Sequence, residues 1–244
     1  MRVWGAVPLK IVSANLQSLA NVDAGAASDY IGKSQPDLIA LQELGHDAAA
    51  LFERNRADYP YKKLFPSANK EGSGAGIMSK LPINSASLHS FGHNFPTIEC
   101  EVQTPAGPVV VVNAHPWPPG SWVMWEEQLL WESGVASLVR ASKNPVIVVG
   151  DFNASQWGWV FRKLVDDTKL QDTSLGYGIQ PTWPTDVPAL GIAIDHVLAS
   201  REFQVLRHYP GPKIGSDHWP LVVELSLLKS DSTKALSNKP IRQF

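Results

Sequence analysis

The sequence predicts an α/β fold in which two mixed β-sheets pack together with helices on their flanks, and three observations carry that prediction. Short apolar or β-branched runs, bounded by Pro, Gly and Asn, outnumber helical segments. The helical segments fall between these runs without the strict strand–helix–strand alternation of a doubly wound sheet. No linker-like or repetitive stretch interrupts residues 1–228, which predicts one domain, whereas residues 229–244 turn polar and are expected to form a flexible tail.

In chain order, Leu9–Leu16 reads as a strand, Val22–Lys33 as a short helix closed off by Pro36, and Asp37–Gln42 as a buried strand. A helix from His46 to about Ala57 follows. Strands are expected at Tyr61–Phe65, Ala75–Ser79 and Ser87–Ser90, and the run Thr97–Val102 alternates as a half-buried strand does. Pro108–His115 is apolar and β-branched. After a Trp- and Pro-rich loop, Val123–Ala141 has the composition and length of a helix, ended by Pro145. Val146–Gly150 is another buried strand and Gly158–Val165 a helix. Ile192–Ala199, Phe203–His208 and Pro220–Leu227 are the late strands.

Composition narrows the function less than the pattern does. A 44% hydrophobic chain of 244 residues can bury a sizeable core, but its formal charge of -2 gives no general attraction to nucleic acid or anionic lipid. Affinity for such partners must come from a local patch. Cys100 is the single cysteine, which excludes an intramolecular disulfide, and it reads as a small buried hydrophobe. No run approaches the roughly 20 apolar residues of a membrane-spanning helix, so the chain as given is expected to be soluble and monomeric. Its compartment stays open between the cytoplasm and an extracytoplasmic membrane surface.

Chemistry concentrates at strand ends. The strongest local signal is Gly150-Asp151-Phe152-Asn153, where a buried strand delivers an acid and an amide that extended geometry points to one side. A strand-terminating Asx-turn is the competing reading. In Gly215-Ser216-Asp217-His218 an acid and an imidazole stand together before the last strand, able to serve as metal ligand and proton carrier. Asp195, in the apolar setting of Ile194-Asp195-His196, needs a partner if buried, and orienting a histidine is one such partnership. Asn15, Glu43 and His115 end three further strand candidates. Mg²⁺ needs only a carboxylate or two beside substrate phosphate and water, so no dense ligand cluster is required.

Taken in order, Asn15 in Ser-Ala-Asn, Glu43 in Leu-Gln-Glu, His115 in Asn-Ala-His, Gly150–Asn153, Ile194–His196 and Ser216–His218 resemble the endonuclease/exonuclease/phosphatase (DNase I-like) superfamily. The resemblance spans residues 9–227 and implies a four-layer α/β sandwich, bound Mg²⁺ or Mn²⁺, and in-line hydrolysis of a phosphate ester. It implies Glu43 as principal metal ligand, with Asn15 and Asp217 on the metal side. Asp151 would orient or deprotonate the attacking water, and Asn153 would contact phosphoryl oxygens. His218, its tautomer fixed by Asp195, and His115 would share the acid, base and charge-neutralising work. Glu71 is a weak candidate to support His115.

Within that superfamily the chain is similar to bacterial members often attached to N-terminal membrane helices, through Trp157, Pro181-Thr182-Trp183-Pro184 and the motifs around Asp195 and His218. The apolar start Val3–Leu9 would then sit where such a segment ends. By analogy, the expected activity is a phosphodiesterase cleaving DNA or RNA; a phosphomonoesterase or a sphingomyelinase-like headgroup hydrolase is the alternative.

Other signals read as structural. Gly72-Ser73-Gly74-Ala75-Gly76 lacks the Lys-Ser/Thr of a phosphate loop and reads as a strand-entry turn. His46, His89, His93 and His208 show no partner pattern. Trp117, Trp122, Trp125 and Trp131 follow His115 closely and would border its site, stacking bases or resting at a membrane, although core packing suits Trp125 and Trp131 equally. Arg54, Arg56, Lys62, Lys63, Lys70 and Lys80 form a loose basic run that reads as solvated surface more readily than as a phosphate-backbone contact.

Overall fold

The structure is a computed structural model that describes residues 7–17, 24–67 and 74–228. The expected tail, the start of the first helix at Val22, most of Val3–Leu9, and Lys70, Glu71, Gly72 and Ser73 lie outside the described residues.

The chain begins with β1 (Val7–Asn15), α1 (Gly25–Ser34), β2 (Leu38–Gln42), α2 (His46–Asn55), β3 (Tyr61–Phe65) and β4 (Ala75–Ser79). It continues through β5 (Ile83–His89), β6 (Thr97–Thr104), β7 (Gly107–Asn113), α3 (Trp122–Ala141), β8 (Val146–Asp151) and α4 (Trp159–Thr168). It closes with β9 (Gln171–Asp172), β10 (Asp195–Ala199), β11 (Phe203–Pro210) and β12 (Leu221–Leu227). One six-stranded sheet has the order β11-β12-β1-β2-β4-β3 and the other β5-β6-β7-β8-β10-β9. Both are mixed: β1–β2 and β7–β8 are parallel, and the remaining pairs are antiparallel.

Strand side chains alternate between two apolar layers, which is why the central strands read as unbroken apolar runs. Leu9, Ile11, Val109, Val111, Ile147 and Val149 meet between the sheets. Val112 and Val148, on the other face, pack under α3 and α4 with Trp131, Val135, Phe161 and Leu164. Ile39, Leu41 and Met78 pack under α1 and α2 with Ile31 and Phe52. The order is helix, sheet, sheet, helix, the four-layer sandwich expected. Cys100 lies in the inter-sheet layer, where burial pushes its thiol up to about 12, so it stays protonated and unreactive.

Several boundaries shift, and one strand is new. β5 starts at Ile83 rather than Ser87, because it is an edge strand with few buried positions and so little apolar signal. β10 starts at Asp195, since Ile192 is drawn away to pair with Trp183 in an isolated bridge. The two-residue β9 was too short to register in the sequence.

Candidate active site

Strand polarity brings the polar strand ends to one edge of the sandwich. Parallel β1 and β2 end in Asn15 and, one residue beyond, Glu43. Parallel β7 and β8 deliver His115 and Asp151 in the same direction. β10 runs against β8 with Asp195 directly opposite Asp151. β12 runs against β1 with Leu221 opposite Ser13, so the preceding loop carries Asp217 and His218 to the same edge. Gly150 makes the approach possible: its φ is +145°, and a Cβ there would stand 2.0 Å from the Ala114 carbonyl oxygen beside His115.

The residues are joined by direct contacts. Asn15, almost fully buried, donates from Nδ2 to Glu43 Oε1 and to Asp151 Oδ2, both at 3.0 Å. Asp151 Oδ2 in turn faces both imidazoles, 3.5 Å from His115 Nε2 and 3.8 Å from His218 Nε2. His218 Nδ1–H donates to Asp195 Oδ2 at 2.9 Å. Asn153 donates from Nδ2 to the Pro116 carbonyl at 2.9 Å and to His115 Nε2 at 3.1 Å. Because the carbonyl can only accept, both Asn153 N–H groups are committed and His115 Nε2 carries the lone pair. His115 Nδ1 is buried without a partner. The Asp151–Asn153 pair does not keep the extended geometry expected: Asn153 has φ +49°, and its N–H donates to Asp151 Oδ1 at 2.8 Å. The Asx-turn reading and the functional one describe the same feature. Glu43 also has positive φ, +50°, a conformation that disfavours a side chain by about 1–2 kcal/mol.

Electrostatics explain why the site calls for a cation. Glu43, Asp151, Asp195 and Asp217 make no ion pair with lysine or arginine among the described residues. Two carboxylates converge on one amide nitrogen, an arrangement that like-charge repulsion opposes unless a cation joins it. Hard oxygen donors of this kind fit Mg²⁺ or Mn²⁺. No three His, Cys, Asp or Glu side chains among the described residues form a group that could by itself hold a metal ion. Burial alone would depress the His218 imidazolium. The Asp195 charge and hydrogen bond, with Asp151 and Asp217 adding, outweigh it and push the group up to about 10.

A supporting layer escaped the sequence reading. Asp217 Oδ2 accepts from Trp183 Nε1 at 2.9 Å, and the Asp217 N–H donates to Gln17 Oε1 at 3.0 Å. His196, held neutral by burial, donates from Nε2 to the Ala154 carbonyl at 2.8 Å and steadies the turn behind Asn153. Trp183 and His196 sit inside the motifs that carried the family resemblance, yet neither had an assigned task. His89, His93 and His208 do have partners, in Glu99, Glu127 and Gln180, but none belongs to the site.

The rim of the site is aromatic. α3 begins shortly after His115 and α4 shortly after Asn153, so both helix starts lie beside it. There Trp122 is 70% exposed and Trp159 51%, and half-buried Trp125 touches both rings. Trp157 adds a further exposed indole, while Trp131 is core. The loop across the site exposes Leu190 and Ile192 beside Trp183. Two members of the basic run lie elsewhere: Lys62 pairs with Met78, and Lys80 follows the end of β4, at the opposite end of the sheet from Glu43. Arg56, Lys62 and Lys80 are engaged there by Asp58, Glu53 and Gln35.

Comparison with known proteins agrees with the fold. The chain is 29% identical over 174 residues to an inositol phosphosphingolipids phospholipase C of Saccharomyces cerevisiae, a match covering 62% of this chain and 35% of that protein. It therefore spans about a third of the length of this curated relative. Among solved structures, an endonuclease/exonuclease/phosphatase of Beutenbergia cavernae superposes with a TM-score of 0.76 at 22% identity, covering 91% of this chain and 72% of that one. One from Bacteroides vulgatus gives 0.77 at 14% identity, with 91% and 99% covered. The sequence profile of the Endonuclease/Exonuclease/phosphatase family matches residues 12–218, a span that opens in β1 and ends on the histidine paired with Asp195, and the chain belongs to that family.

Proposed function

We propose that the chain is a divalent-metal-dependent phosphodiesterase that hydrolyses lipid-headgroup phosphodiesters at a lipid–water interface. The observation that carries the lipid reading is the pairing of exposed indoles on the helix starts at the site end of the sandwich with Lys62 and Lys80 at the far end of the sheet. Indole rings settle at bilayer interfaces, whereas a nucleic-acid backbone requires cations along its track. The likeness to a phospholipase acting on inositol phosphosphingolipids supports the same reading.

Glu43, with Asn15 and Asp217 beside it, would hold Mg²⁺ or Mn²⁺. When bound, the ion supplies Lewis-acid stabilisation of charge on the phosphoryl oxygens. Asp151, facing both imidazoles, takes up the proton of the attacking water. His218, charged and fixed by Asp195, presents Nε2–H to the phosphoryl group and gives that proton to the departing headgroup oxygen as the bond from phosphorus to it breaks and the bond to the water oxygen forms. The proton held by Asp151 then recharges the imidazole. Asn153 reaches a phosphoryl oxygen by exchanging its bond to His115, which leaves the His115 nitrogen available to the reacting group.

Nucleic-acid cleavage is the second reading, favoured by the same exposed indole faces, which can stack unpaired bases. Hydrolysis of sphingolipid and phospholipid headgroups in vesicles, of plasmid DNA, and of bis(p-nitrophenyl) phosphate, each with Mg²⁺, Mn²⁺ or chelator, separates the two. The lipid reading expects Trp122→Ala/Trp159→Ala to lower vesicle turnover at least about 10-fold, with the soluble ester unaffected. Metal-dependent nicking of DNA without lipid turnover would establish the nuclease instead.

A further inference from the structure

Three side-chain hydrogen bonds cross between the two sheets at the site end. Asn15 reaches Asp151, and His218 reaches Asp195; both use groups that take part in the reaction proposed above. The third joins residues outside that chemistry. Gln42, the last residue of β2, donates from Nε2 to Asn113 Oδ1, at the end of β7, at 2.7 Å. Asn113 Nδ2 extends the crossing to the Leu41 and Gly76 carbonyls, each at 2.9 Å, and the Ser13 hydroxyl donates to Gln42 Oε1 at 3.3 Å. Both amides are fully withdrawn from solvent.

We infer that the Gln42–Asn113 bridge is the positioning element that sets the relative placement of the two halves of the active site. Gln42 immediately precedes Glu43, and Asn113 stands two residues before His115. The apolar layer between the sheets holds them together without direction, since hydrophobic contact tolerates sliding. A buried amide pair does not, because any slide leaves buried polar groups without partners. The bridge is withdrawn from solvent and takes no part in the chemistry, and so holds the Glu43 side against the His115 side throughout the reaction.

The inference rests on the metal-assisted reading of the site, and its test separates the two. Mn²⁺ binding, followed by electron paramagnetic resonance without substrate, and hydrolysis of bis(p-nitrophenyl) phosphate are measured for five proteins. These are the wild type, Gln42→Met, Gln42→Asn, the core control Val111→Ala, and the length swap Gln42→Asn/Asn113→Gln. Gln42→Met should weaken Mn²⁺ binding and lower kcat, each at least 10-fold. Val111→Ala should lose comparable thermal stability and keep both, and the swap should recover part of what Gln42→Asn alone loses. Gln42→Met matching Val111→Ala in binding and kcat would overturn the positioning role; should Gln42→Met fail to fold, absence of recovery in the swap would do so. A wild type that neither binds Mn²⁺ nor turns over the ester would overturn the reading of the site itself, and the inference with it.

Discussion

The two ends of the sandwich handle charge in opposite ways. At the end away from the site, acids and bases satisfy one another: Arg56 pairs with Asp58, and Lys62 with Glu53. At the site end, four acids meet only two imidazoles, and Glu43 and Asn153 hold left-handed backbone that a turn built for stability would give to glycine. One end is complete as folded. The other is assembled for something that comes from outside, and that imbalance locates function more sharply than any single residue does.

The largest effect should come from removing strain and charge together. Glu43→Gly is expected to lower hydrolysis by at least about 100-fold while leaving stability unchanged or raised by up to about 1 kcal/mol. Chemical denaturation run beside the activity assay checks both. A variant that stays active, or that loses more than about 2 kcal/mol, would show that Glu43 adopts its conformation for the fold and not for the site.

Two histidines sharpen the comparison. Acids surround His218, whereas His208 packs against Tyr177 and hydrogen-bonds Gln180. Burial, only partly opposed by the Asp172 charge, pushes His208 down to about 4 from 6.5. The folded value lies below the unfolded one, so the neutral ring contributes stability that is fully present above pH 6.5 and lost as pH falls through about 4. His208→Gln removes this titration, at most about 3 kcal/mol, and should flatten the acid limb of stability measured by urea melts between those limits. An unchanged slope would mean that the acid loss arises elsewhere.

The smallest effects belong to the far end. Arg56→Ala and Lys80→Met should each change stability by less than about 1 kcal/mol. Neither should alter turnover of any substrate or its salt dependence. A steep fall in DNA binding in either variant would place a polyanion track where the fold offers none.

Much of this was legible in the sequence. β3 and β4 were read to the residue because Pro60, Pro66 and Gly74 frame apolar runs. The site residues were legible for a related reason: an acid, amide or imidazole that closes a buried strand breaks the apolar pattern visibly. What supports them was not legible, because it depends on pairings between distant segments. Gln42 and Asn113 are 71 residues apart, and Gln17 and Asp217 are 200 apart. An amide such as Gln42 looks the same in sequence whether it spans two sheets or faces water.

The register of Asp151 opposite Asp195 also has a use in engineering. Everything between them, including α4, Trp157, Trp159 and the Trp183 loop, leaves the ladder at one rung and returns at the same rung. The segment behaves as an exchangeable cassette. Its outer surface could be replaced by that of a relative with a different substrate, provided that Phe161 and Leu164 keep their seat under the sheet, and the two acids would still face each other.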